Sequence, residues 1–131
     1  MSYYQGNDTR LITGGTKGKH GGKKKHELGG PFAATTVTDK DFLVKKVRAR
    51  GGQAKLKVVK ASYVNVADGN GKTSKLKILG VEKTPANVEY ARRGIITKGA
   101  VVRTEAGLVK ITSRPGQTGV VNGIVMKDAQ S

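Results

Sequence analysis

The sequence predicts an all-β body, a small barrel-like fold with one short helical segment, preceded by a basic, largely unstructured N-terminal extension. Three observations predict it. Short runs of β-branched residues recur from about Val44 onward, separated by glycine-rich turn signals. The two longest runs alternate with period two and then slip in phase, the pattern of strands that bend to close a barrel. Residues 13–30, by contrast, are glycine and lysine with almost nothing to bury.

The extension comes first. In TGGTKGKHGGKKKHELGG, Thr13 to Gly30, the glycines maximise backbone entropy and the lysines repel one another. Residues 1–38 therefore read as an arm that orders on a partner, residues 39–127 as the barrel, and residues 128–131 as a short tail. Val44 to Arg50 is a strand rich in β-branched and basic residues, ending at Gly51-Gly52. Lys55-Leu56-Lys57-Val58 alternates, and Val59, Ala61 and Tyr63 then continue on the other parity. Asp68-Gly69-Asn70-Gly71 is a hairpin turn. Lys75 to Ile78 alternates again, and Leu79 and Val81 repeat the slip.

The helical segment runs from Thr84 to Gly94, with Thr84 as the cap, Pro85 in the first turn and Gly94 at the exit. Ile95-Ile96-Thr97 is apolar and β-branched. Ala100–Thr104 and Leu108–Thr112 flank Glu105-Ala106-Gly107 as a second hairpin. Ser113 to Gly119 reads as a turn-rich loop. Val120 to Met126 is apolar at both parities, which marks a central strand.

Charge points to the function. The chain carries 25 Lys and Arg against 9 Asp and Glu, a formal net charge of +16 on 131 residues. A compact body repels itself at that density unless a polyanion neutralises it. A nucleic-acid backbone is the leading partner, because each neutralised phosphate releases counterions. The absence of cysteine excludes disulfides and thiolate metal sites. No apolar run reaches the roughly 18 residues of a membrane span, and the opening MSYYQGNDTRLITGG has no apolar leader segment.

Chemistry-bearing motifs are scarce. Gly14 to Lys19 lacks the spacing of a phosphate-binding nucleotide loop. His20 and His26 have no further His or Cys to complete a metal site. The acids Asp39, Asp41, Asp68, Glu82, Glu89 and Glu105 fall mostly in turns or at element ends, not in the cluster that metal-dependent cleavage requires. The reading is therefore no catalysis, no cofactor and no small-molecule substrate.

The candidate contacts are cationic. Between Lys40 and Lys60 stand eight basic residues and one acid, Asp41. Lys55 and Lys57 share one strand face, and Lys75 and Lys77 share the corresponding face of the next strand. If those strands pair, four ammonium groups gather on a phosphate-binding face. Arg48, Arg50, Arg92, Arg93 and Arg114 offer planar donor forks, with Glu89 placed to pair Arg92. Arg114 precedes Pro115-Gly116, a rigid turn that holds its side chain outward. In the arm, Lys17, Lys19, Lys23, Lys24 and Lys25 complete the set.

The run TPANVEYARRGIITKGA (Thr84–Ala100), followed by TSRPGQTGVVNG (Thr112–Gly123), resembles the small-subunit ribosomal protein S8e family of archaea and eukaryotes. So do VRARGG and the arm from TGG to KKKHELG. The short length is similar to the archaeal form. Relatives tend to carry a Trp where Tyr3-Tyr4 stands here. The resemblance implies a β-barrel-like body with a basic N-terminal extension. It also implies a non-catalytic, structural constituent of the cytoplasmic 30S subunit, in contact with 16S rRNA and neighbouring ribosomal proteins and with no membrane. Charge alone does not separate RNA from DNA. The competing readings are a ribosome-assembly factor of the same domain family and a non-specific nucleoid DNA-binding protein.

Overall fold

The computed structural model describes residues 3–4, 8–18 and 24–126. Residues 1–32 and 33–131 form two compact units. In the first, β1 (Tyr3–Tyr4) pairs antiparallel with β2 (Leu28–Gly29). Arg10 bridges to Thr16 across a turn in which Leu11 N–H donates to the Gly15 carbonyl at 2.8 Å. The Arg10 guanidinium donates to the Gly14 carbonyl at 3.1 Å, and one 3-10 turn spans Lys25–Glu27. Residues 8–18 are all exposed. Among the described residues of this unit whose burial is given, none is buried, so hydrogen bonds rather than an apolar core order them.

The second unit is built from β3 (Thr35–Val37), β4 (Leu43–Arg48), β5 (Ala54–Ala61), β6 (Tyr63–Ala67), β7 (Thr73–Lys83), β8 (Ile95–Ile96), β9 (Val101–Thr104), β10 (Gly107–Ile111) and β11 (Asn122–Val125). Two short helices accompany them, α1 (Val88–Arg92) and α2 (Pro115–Thr118). Five strands close a barrel in the order β10-β11-β6-β7-β9. The other four form a sheet in the order β4-β5-β3-β8. The all-β barrel class expected from the sequence is the observed one.

Thr35–Val37 belong to this second unit, although the sequence reading runs the arm to residue 38. The strand lies between β5 and β8. Thr35 is buried, and its hydroxyl donates to the Val58 carbonyl at 2.6 Å. Two threonines gave the segment a polar look, but a buried hydroxyl with a backbone acceptor costs little.

Both phase slips correspond to bends. The chain leaves β5 at Ala61 and enters the barrel at Tyr63, so Ser62 is where one long strand passes from sheet to barrel. Here the parity differs from expectation: Val58, Ala61, Val64 and Val66 are buried, while Tyr63 stays half-buried. The second slip is a bulge. Ile78 faces Thr104 and Gly80 faces Arg103, so Leu79 is left over and turns outward, 56% exposed.

The barrel core is aliphatic. Val64, Val66, Ile78, Val102 and Val109 are fully buried, and each such side chain stabilises the fold by about 1.5–3 kcal/mol over an exposed one. β11 lies between β10 and β6, central as expected. Its outward residues differ, since Ile124 remains 46% exposed. At Gly123 an added Cβ would lie 2.5 Å from Val109 Cγ1 and 2.8 Å from the Lys110 carbonyl oxygen, so only glycine lets β11 close against β10.

The helices depart from the sequence reading in two ways. Asn87, not Thr84, caps α1, its side chain accepting from Glu89 N–H at 3.0 Å. Thr84 is instead buried at the end of β7. Gly94 takes the left-handed φ of +67° expected at the exit. The loop Ser113–Gly119 contains α2, a single turn with Pro115 at its start and Gly119 at φ +76°.

Candidate nucleic-acid interface

β4 and β5 form a hairpin closed by the turn Arg50–Gly52, with Ala49 N–H donating to the Gln53 carbonyl at 2.7 Å. Its register places Lys45 opposite Lys57, Lys46 opposite Leu56, Val47 opposite Lys55 and Arg48 opposite Ala54. Residues directly opposite share a face. Lys45, Lys55 and Lys57 therefore point one way, and Lys46 and Arg48 point the other. Arg50 sits at the tip. From Leu43 to Val59 the chain contains no Asp or Glu.

Four cations elsewhere in this unit have carboxylate partners. Lys60 meets Asp41 at 3.9 Å, Lys77 meets Asp39 at 3.9 Å, Arg92 meets Glu89 at 3.3 Å and Arg103 meets Glu82 at 2.7 Å. Among the described residues, Lys45, Lys46, Arg48, Arg50, Lys55 and Lys57 have no carboxylate partner. Two ammonium groups facing each other across a ladder destabilise it unless an anion intervenes.

α2 braces the tip half of the hairpin. Lys55 Nζ donates to Gln117 Oε1 at 2.9 Å, and Leu56 bridges to Thr118. The Arg114 carbonyl accepts from Gln117 N–H at 2.9 Å and from Thr118 N–H at 3.0 Å. That holds Arg114, whose side chain is exposed, one helical turn from the Lys55 contact.

Lys75 and Lys77 do not join Lys55 and Lys57, and the expected four-cation face does not form. The β6–β7 register sets Lys77 opposite Tyr63 and Lys75 opposite Asn65. Continued along the strand, it would set Lys57 opposite Lys83 and carry Lys55 past the end of β7, well away from Lys75 and Lys77, but the chain turns into the other sheet at Ser62. Lys75 instead lies over the Tyr63 ring, Nζ 3.6 Å from the centroid, and Phe42 stacks on that ring at 4.4 Å. Asn65 Nδ2 donates to Asn122 Oδ1 at 3.2 Å beside them.

Arg92 pairs with Glu89 as the spacing implied, and Arg93 caps the C-terminus of α1. In the first unit Lys17, Lys24 and Lys25 are exposed, while Lys19, His20 and Lys23 lie outside the described residues. His26 lies 3.9 Å from Glu27. Among the described residues, no three of His, Cys, Asp and Glu gather as a metal site. Lys45 and Lys46 complete the hairpin and add to the contacts expected from the sequence. The acid-free run from Leu43 to Val59 was the signal that could have found them.

Residues 4–126 match the ribosomal protein S8e family. The chain belongs to that family. An S8e protein is a structural, non-catalytic component of the ribosome, and so resides in the cytoplasm. This S8e chain is 54% identical over 129 residues to the small ribosomal subunit protein eS8 of Sulfolobus acidocaldarius, covering 98% of this chain and 100% of that one. It is 55% identical over 128 residues to the eS8 protein of Staphylothermus marinus, covering 97% and 99%. The Sulfurisphaera tokodaii eS8 protein is 52% identical over 129 residues, covering 98% and 100%.

Proposed function

We propose that the chain binds and stabilises 16S rRNA within the small ribosomal subunit, through the basic hairpin of its body and the lysines of its arm, in contact with neighbouring ribosomal proteins. The supporting observation is the β4–β5 hairpin, where six cations stand without a carboxylate partner among the described residues. Phosphates remove the cross-strand repulsion there, and each neutralised phosphate releases a counterion. Arg48, Arg50, Lys55 and Lys57 on the hairpin and Arg114 on its brace are the assigned contacts, with Arg92, Arg93, Lys75 and Lys77 as further ones. Lys17, Lys19, Lys23, Lys24 and Lys25 supply the arm's grip. The test is crosslinking in whole cells followed by sequencing of the attached nucleic acid. Recovery of discrete 16S rRNA segments from mature subunits is the expected result. Recovery only from precursor particles, or mainly of DNA, contradicts the reading.

A further inference from the structure

The β4–β5 hairpin is cationic on both faces, and that division has a geometric consequence. Lys45, Lys55 and Lys57 project from one face, and Lys46 and Arg48 from the other, following the register. Toward the barrel the second face becomes core, since Val58 is fully buried. Toward the tip Lys46, Arg48 and Ala54 are exposed, and Leu56 is 46% exposed, with Gly119 after α2 against the rest of its side chain. Among the described residues, β4 is an edge strand, paired only with β5. The hairpin is also held near its tip, through the Lys55–Gln117 bond and the Leu56–Thr118 bridge.

We propose that this hairpin inserts between two RNA segments and holds one phosphate backbone with each face. The inference rests on the RNA-binding reading above and assigns the bridging to one element. A single phosphate surface would neutralise Lys45, Lys55 and Lys57 and leave Lys46 and Arg48 without a counter-anion, or the reverse. Two backbones satisfy both faces, and Arg50 at the tip lies between them. The closing turn suits entry into a narrow space, with Gly51 at φ +70° and Gly52 at φ +75° keeping it short and free of bulk.

The experiment uses the full chain and two short RNA duplexes, one immobilised and one fluorescent. Wild-type protein is expected to capture the fluorescent duplex on the immobilised one. The variant K45Q/K55Q/K57Q and the variant K46Q/R48Q each remove one face, and thermal melting of both confirms that they fold. Each is expected to retain binding to a single duplex while its bridging falls about tenfold or more, because one of the hairpin's two sets of counterion-releasing contacts is lost. Bridging at the wild-type level in either variant overturns the two-face proposal. So does an equal loss of bridging and single-duplex binding from one face, with the other face silent. Wild-type protein that binds neither duplex overturns the RNA-binding reading itself, which separates the two failures.

Discussion

Gly119 carries two constraints at one residue. Its φ is +76°, and an added Cβ would lie 2.6 Å from Leu56 Cβ. The first is a backbone strain and the second a clash between α2 and β5, so neither is relieved by rotating a side chain. Gly119→Ala is expected to destabilise the fold by about 1–3 kcal/mol, measured by chemical denaturation. Gly69, with nothing within 4 Å of an added Cβ, is the control, and Gly69→Ala is expected to change stability by less than about 0.5 kcal/mol. Equal effects at the two positions would contradict the account of how α2 braces the hairpin. Part of this site was legible in the sequence. Pro115 and Gly119 bracket a turn in any reading, but only the fold brings Leu56 against Gly119.

At the scale of the element, stability and affinity pull the β4–β5 hairpin in opposite directions. Lys45 faces Lys57 across the ladder. Lys45→Glu turns that repulsion into an attraction and is expected to stabilise the free protein by about 0.2–1 kcal/mol. The same change removes a phosphate contact and introduces a charge that repels one, so RNA affinity is expected to fall. Paired melting and binding measurements check both signs. A variant that is less stable, or that binds RNA as tightly as before, contradicts the assignment.

The strands themselves were readable, because alternation at Lys55–Val58 and Lys75–Ile78 marks which residues share a face. What alternation leaves open is register and partner. Lys55 and Lys75 sit in similar patterns, yet Ser62 sends their strands into different sheets. The parallel pairing of β11 with β6 joins Asn122 to Asn65 across 57 positions, and no local signal announces it. Asn87 caps α1 in place of Thr84, which is buried just after the exposed end of β7.

For the whole molecule, net charge decided more than any motif. A formal +16 on 131 residues is legible without a fold, and it points to a polyanion. The fold adds the distribution. Carboxylates pair with Lys60, Lys77, Arg92 and Arg103, and the hairpin is left without them. The most direct measurement is the dependence of 16S rRNA affinity on salt, for the wild-type chain and for the variant K45Q/K46Q/R48Q/R50Q/K55Q/K57Q. If the hairpin cations neutralise phosphates, the slope of log affinity against log salt becomes shallower by about five units in the variant. An unchanged slope, with the variant folded, would contradict the account.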